Sequence, residues 1–164
     1  MQDTAGIFLI SCNRNRFFSD MMDVSMLIQN AKEGCGMDDR QLLRQLQADG
    51  VVSAVVSNKP DYAVKTLSAQ YFPGLLAASA GAKDGVRKKP CPDAVFEVVR
   101  QLGAEALRAV YIGDSEVDLQ TAQNAALPCI SVSWGFRDRS VLEQAGAACI
   151  CNTVDALYQA ICNG

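Results

Sequence analysis

The chain of 164 residues contains no histidine, which removes every Ser-His-Asp and Cys-His nucleophile and leaves zinc only Cys and Asp/Glu as ligands. It also has no Cys-x-x-Cys pair. The seven cysteines, Cys12, Cys35, Cys91, Cys129, Cys149, Cys151 and Cys162, are odd in number. Most stand among apolar neighbours, where a reduced thiol packs as a small hydrophobe. Cys149 and Cys151 would point to one face of a strand, but no second pair lies nearby, so structural zinc is not expected. No block of lysine and arginine exists, and the formal net charge is -3; neither nucleic acid nor an anionic membrane is the expected partner. No early apolar run reaches the roughly 18 to 20 residues that cross a bilayer, and the apolar stretch 5–12 follows an acidic residue where a signal peptide would be basic. A cytoplasmic protein, monomeric or homodimeric, is the expectation.

What is present is ordinary globular composition, 49% hydrophobic and 20% charged, in a length that suits one domain over 1–164 with a sizeable core. From residue 38 helices and short apolar strands alternate. Asp38 or Asp39 caps a helix with Leu42, Leu43 and Leu46 on one stripe, and Gly50 takes the left-handed position after it. A strand at 51–56 is free of charge and rich in β-branched residues, the pattern of a sheet covered on both faces. A helix at 61–70 follows, then a short strand at 75–79 and a charged loop at 83–89. Pro92 opens a helix whose Val95, Phe96, Val99 and Leu102 repeat at helical spacing, and Gly103 ends it. Strands at 109–113, 129–132 and 147–151 alternate with helices at 116–126, 139–145 and 154–161. The fold class is therefore α/β, a doubly wound, mainly parallel sheet. A first strand fits 6–11, and 17–32 reads as a methionine-rich helix with Met22, Met26 and Gln29 along it, for core or interface packing.

Three places carry chemistry. The strand at 109–113 runs into Asp114, with Asp118 four residues on, a pair well placed at the carboxyl edge of a parallel sheet to hold a hard cation such as Mg²⁺. Asp114 or Ser115 could equally cap the following helix. Ser57 ends the strand at 51–56, where its hydroxyl and the following N–H groups can donate to a phosphoryl oxygen or cap the next helix. Lys89, on a backbone that Pro90 and Pro92 restrict, offers a compact positive charge to a phosphoryl group, or is an exposed loop charge beside solvated Arg87 and Lys88. Glu116 lies on another face.

Val55-Val56-Ser57-Asn58-Lys59, then Arg87-Lys88-Lys89-Pro90-Cys91-Pro92-Asp93, then Tyr111-Ile112-Gly113-Asp114-Ser115-Glu116-Val117-Asp118 together resemble the successive signatures of the haloacid dehalogenase-like (HAD-like) phosphatase superfamily. The pattern is most similar to phosphoglycolate phosphatases and related sugar-phosphate phosphatases, and it covers about 38–161. The resemblance implies a Rossmannoid core and Mg²⁺-dependent hydrolysis of a small phosphorylated metabolite. It implies catalytic roles for Ser57 and Lys89, phosphate binding by Ser57, Asn58 and Lys89, and a metal held directly by Asp114 with Asp118 acting through a metal-bound water or an outer contact. Trp134-Gly135-Phe136-Arg137 resembles the aromatic-glycine loop that lines the site in such enzymes; a surface turn with a packed tryptophan is the alternative.

The first strand departs from that pattern. The enzymes it resembles carry an aspartate nucleophile there and a second aspartate two residues later as acid and base. Matching Phe8 to the apolar residue before the nucleophile puts Leu9 in the nucleophile's place and Ser11 in that of the acid/base. Asp3, Asp20 and Asp23 lack the spacing, and Cys12 has no histidine to activate it. Residues 13–37 are too few for a full substrate-closing cap and read as a divergent or remnant cap or linker. Two functions follow: a phosphomonoester hydrolase of phosphoglycolate phosphatase type, weak or inactive for want of its nucleophile, or a catalytically silent phosphate/metal-binding or protein-interaction module.

Overall fold

The computed structural model describes residues 7–12, 36–103 and 109–163. Six strands, β1 (Ile7–Cys12), β2 (Val52–Pro60), β3 (Ala78–Ala82), β4 (Ala109–Gly113), β5 (Cys129–Val132) and β6 (Ile150–Cys151), form one sheet in the order β3-β2-β1-β4-β5-β6. All five pairings are parallel. Six helices alternate with them: α1 (Asp39–Ala48), α2 (Asp61–Tyr71), α3 (Asp93–Gln101), α4 (Glu116–Asn124), α5 (Arg139–Gln144) and α6 (Val154–Asn163). This is the expected alternating Rossmannoid core. The expected remnant cap and the methionine-rich helix fall largely or wholly within 13–35 and lie outside the described residues.

Side-chain alternation sends neighbouring strand residues to opposite faces, and each face has its own core. Tyr111 of β4 joins Ala54 and Val56 of β2, Ala78 and Ala80 of β3, and the inward face of α3 and α4. Ile112, one residue on, joins Ile130, Val132 and Cys151 with Leu42, Leu43 and Leu46 of α1 and Leu157 of α6. The start of α1 is set by a capping box: Asp38 accepts from Gln41 N–H at 2.8 Å while the Gln41 side chain accepts from Asp38 N–H at 2.8 Å. The described cysteines, Cys91, Cys129, Cys149, Cys151 and Cys162, are free thiols. Burial pushes Cys129 up to about 12 and Cys151 up to about 11, which keeps both protonated and unreactive. No helix among the described residues is long and apolar enough to cross a membrane.

Two boundaries and one helix face differ from the sequence expectation for local reasons that the structure shows. The third strand lies at Ala78–Ala82 instead of 75–79, because Leu75 and Leu76 reach the second core from a turn around Gly74, which has φ 73°. The strand itself needs small residues: a Cβ on Gly81 would stand 2.5 Å from Asp61 Cα. In α3 the core face is Ala94, Val95, Val98 and Val99, and Phe96 is exposed. The fourth helix stops at Asn124 because Ala126 turns into the left-handed region with φ 56°, a conformation costly for any residue with a Cβ. Ala126→Gly is therefore expected to raise the melting temperature, by the equivalent of roughly 0.5–1 kcal/mol. An unchanged or lower midpoint in thermal unfolding would contradict this backbone assignment.

Candidate functional site

The strand order reverses beside β1, whose neighbours β2 and β4 are both reached by crossovers, and such switch points open a crevice at the carboxyl edge of a sheet. Ser57 of β2 and the turn after β4 meet there. The register pairs Cys12 with Ser57, and Ile10 with Ile112. Leu9 stands opposite Ala54 and Tyr111, three residues short of Ser57. The register thus puts residue 12, three residues beyond Leu9, level with Ser57.

The centre of the arrangement is a buried ion pair. Lys89 Nζ donates to Asp118 Oδ1 at 2.9 Å, and the two side chains are 1% and 0% exposed. An ion pair removed from water persists only where further hydrogen bonds compensate both charges. Asp118 receives them: Tyr111 Oη donates to Oδ1 at 3.3 Å, Ser115 Oγ to Oδ2 at 2.7 Å and Asp114 N–H to Oδ2 at 3.2 Å. Ser115 caps α4, its hydroxyl accepting from Asp118 N–H. Gly113 is required for this packing, since a Cβ there would lie 2.2 Å from Asp118 Cβ.

Asp114 has the opposite surroundings. Its Oδ2 accepts from Phe136 N–H at 2.8 Å, while Oδ1 is buried with no hydrogen-bond partner among the described residues. Burial, and then the charge of Asp118, push its carboxyl up to about 7. The Trp134-to-Arg137 loop wraps it: Arg137 N–H donates to Asp114 O at 3.2 Å, and a Cβ on Gly135 would stand 2.4 Å from Asp114 Oδ2. Arg137 pairs with Glu116 and lies 4.5 Å over the Phe136 ring.

An orphaned, buried carboxylate oxygen is what a hard cation would satisfy, and Mg²⁺ binds through one or two carboxylates with water and phosphate oxygens completing its shell. Asp114 fits that donor set. Both oxygens of Asp118 are engaged by the protein. Among the described residues no group of three or more His, Cys, Asp or Glu side chains that could hold a metal ion is brought together.

The structural alternatives for the other residues fall away on geometry. Helix α2 is capped at Pro60 without a side-chain bond, and Ser57 Oγ instead accepts from Lys59 N–H at 3.2 Å. Lys89 is buried. Arg87 is solvated and pairs with Asp93 at 2.8 Å, and Lys88 is exposed. Asn58 is beside Ser57 as expected, but its side chain is occupied by backbone: Oδ1 accepts from Lys89 N–H at 2.8 Å and Nδ2 donates to Lys89 O at 3.2 Å. Reading motifs by strand end missed Tyr111 and Asn124, whose Nδ2 donates to Pro90 O at 2.8 Å. A polar tip within an apolar strand was the one signal for Tyr111; Asn124 left none.

Residues 15–132 match the family described as haloacid dehalogenase-like hydrolase. A phosphoglycolate phosphatase of Pseudomonas syringae pv. syringae is 35% identical over 98 residues, 59% of this chain and 36% of that protein. A phosphoglycolate phosphatase-like protein of Lactobacillus delbrueckii subsp. bulgaricus superposes with a TM-score of 0.72 at 46% identity, over 73% of this chain and 50% of that one. CbbY from Rhodobacter sphaeroides, solved in complex with phosphate, superposes with a TM-score of 0.58 at 28% identity, over 69% and 51%. The chain thus spans about a third to a half of the length of these relatives.

Two expectations follow. Lys89→Met leaves the Asp118 charge buried without its partner and should cost about 3–5 kcal/mol in denaturant unfolding, while Lys89→Met with Asp118→Leu should recover much of it; additive losses would contradict a coupled pair. Asp114 has a folded-state pKa above its ordinary 3.8, so its contribution is fully present below about pH 4 and is lost as pH rises through about 7. Asp39, raised to about 7 by burial and then by Asp38, acts with the same sign, so the comparison is with Asp114→Asn. That variant should match the parent near pH 4 and melt higher at pH 8 without divalent cation. Added Mg²⁺ should raise the parent alone, and a pH-independent difference would show that Asp114 is not desolvated.

Proposed function

The chain belongs to the haloacid dehalogenase-like hydrolase family, and from that premise we propose that the carboxyl edge of its sheet binds the phosphoryl group of a small phosphorylated metabolite beside a divalent cation. The reaction this arrangement serves is phosphomonoester hydrolysis of the phosphoglycolate phosphatase type. The observation that supports it is the juxtaposition of a buried Lys89–Asp118 pair with an Asp114 oxygen that has no hydrogen-bond partner among the described residues.

In this reading Ser57 and the backbone N–H groups that follow it hold phosphoryl oxygens, and the Lys89 ammonium offsets their charge. Asp114 would hold Mg²⁺, and Asp118 keeps both Lys89 and the Asp114 backbone in register. When bound, Mg²⁺ supplies charge neutralisation at the phosphoryl oxygens. Residues 7–12 contain no carboxylate, so in-line attack by an aspartate on β1 is not available from that strand. That absence favours the second reading, a phosphate-binding module with slow or no turnover.

Phosphate release from phosphoglycolate and from a panel of sugar phosphates distinguishes the readings. Slow, Mg²⁺-dependent turnover abolished by Asp114→Asn is expected for the hydrolase. Because residue 12 is level with Ser57, Cys12→Asp should raise turnover by at least about tenfold, whereas Leu9→Asp should not. Saturable binding of inorganic phosphate with Mg²⁺ but no turnover, even in Cys12→Asp, would leave the binding module; neither binding nor turnover would overturn both.

A further inference from the structure

We infer that Asn58 and Asn124 are positioning residues that clamp the Lys89–Pro90 backbone from two sides and so determine where the Lys89 ammonium stands. The inference rests on the proposed phosphate site only for what that ammonium does chemically. A sequence reading places Asn58 among the phosphate ligands; the geometry turns its side chain to another task. An asparagine amide offers one acceptor oxygen and one donor nitrogen, and Asn58 spends both on a single residue: Oδ1 takes Lys89 N–H at 2.8 Å and Nδ2 gives to Lys89 O at 3.2 Å. Two bonds of opposite sense to one peptide segment fix its orientation as well as its distance, much as a neighbouring strand would.

Asn124 adds the next carbonyl, donating from Nδ2 to Pro90 O at 2.8 Å. It is the last residue of α4, the helix whose first turn carries Asp118. One helix thus holds both ends of Lys89, the backbone beside it from Asn124 and the ammonium from Asp118, which are six positions and about 9 Å of helical rise apart. A lysine stem is flexible and loses rotamer freedom when it is immobilised. Anchoring its backbone at one end and its charge at the other leaves few stem conformations, in keeping with a side chain that is 1% exposed. The outer part of the same loop is attached separately, through Lys83 to Glu97 and Arg87 to Asp93. Removing an asparagine should therefore release Lys89 without detaching the loop.

The test uses the full chain labelled with ¹⁵N-lysine, in which an ammonium held in a buried pair gives a slowly exchanging Nζ resonance distinct from those of exposed lysines. The parent is expected to show that resonance for Lys89, identified by its loss in Lys89→Met. Asn58→Leu should abolish it or merge it with the exposed set. Asn58→Asp, which retains the acceptor for Lys89 N–H, should restore it in part. Asn124→Ala, at an exposed position, carries the same readout if Asn58→Leu does not fold, and should speed ammonium exchange by at least about tenfold. In parallel, the Kd of inorganic phosphate with Mg²⁺ should weaken about tenfold in Asn58→Leu. A parent with a protected ammonium but no phosphate binding would overturn the proposed site and leave the clamp standing. A parent resonance already averaged with exposed lysines, or one unchanged in Asn58→Leu and Asn124→Ala, would overturn the clamp.

Discussion

A lysine and an aspartate that share no solvent hold the candidate site together. Neither Lys89 nor Asp118 could remain charged where it is without the other, and the surrounding groups are arranged to satisfy the remaining lone pairs. Tyr111 comes from the interior of β4, Ser115 from the cap of α4 and the Asp114 N–H from the turn between them. Each helps fix where the first turn of α4 sits on the sheet. Gly113 belongs to the same constraint, because any larger residue would push that turn away.

The consequence is a division of labour between two carboxylates four residues apart. Asp118 is compensated by protein groups and acts as a structural anion. Asp114 is buried, lies next to that anion and has one oxygen without a hydrogen-bond partner among the described residues, so its surroundings disfavour its charge. The backbone of the Trp134-to-Arg137 loop closes over it at Gly135 and Phe136. Similar helix-cap sequences would ordinarily place the first aspartate on the helix N–H groups; here Ser115 does that and frees Asp114 for the crevice.

Much of this could be read before any coordinates. The alternation of apolar strands with capped helices dictates the parallel sheet, and Ser57, Lys89 and Asp114 announce themselves as polar residues at the ends of buried segments. Side-chain periodicity does not say which neighbours a polar group will choose, and that is where the reading fell short. Asn58 follows Ser57 in sequence but faces the Lys89 backbone, a contact between residues far apart in the chain. Phe96 looked like core because it is large, although the face of α3 that meets the sheet is made by Ala94, Val95, Val98 and Val99.

The crevice therefore combines cationic and anionic groups suited to a phosphate and a hard cation, on a first strand that carries no carboxylate. Its capacity to bind and its capacity to turn over are separate properties, set by different elements. The most direct measurement of the central claim is a crystal structure of the chain with Mg²⁺ and tungstate, a heavy phosphate mimic. The account predicts the oxyanion between Ser57 and the Lys89 ammonium with the cation on Asp114 Oδ1, and the Lys89–Asp118 pair intact. Tungstate bound elsewhere, or Lys89 turned out to solvent with Asp114 unliganded, would contradict it.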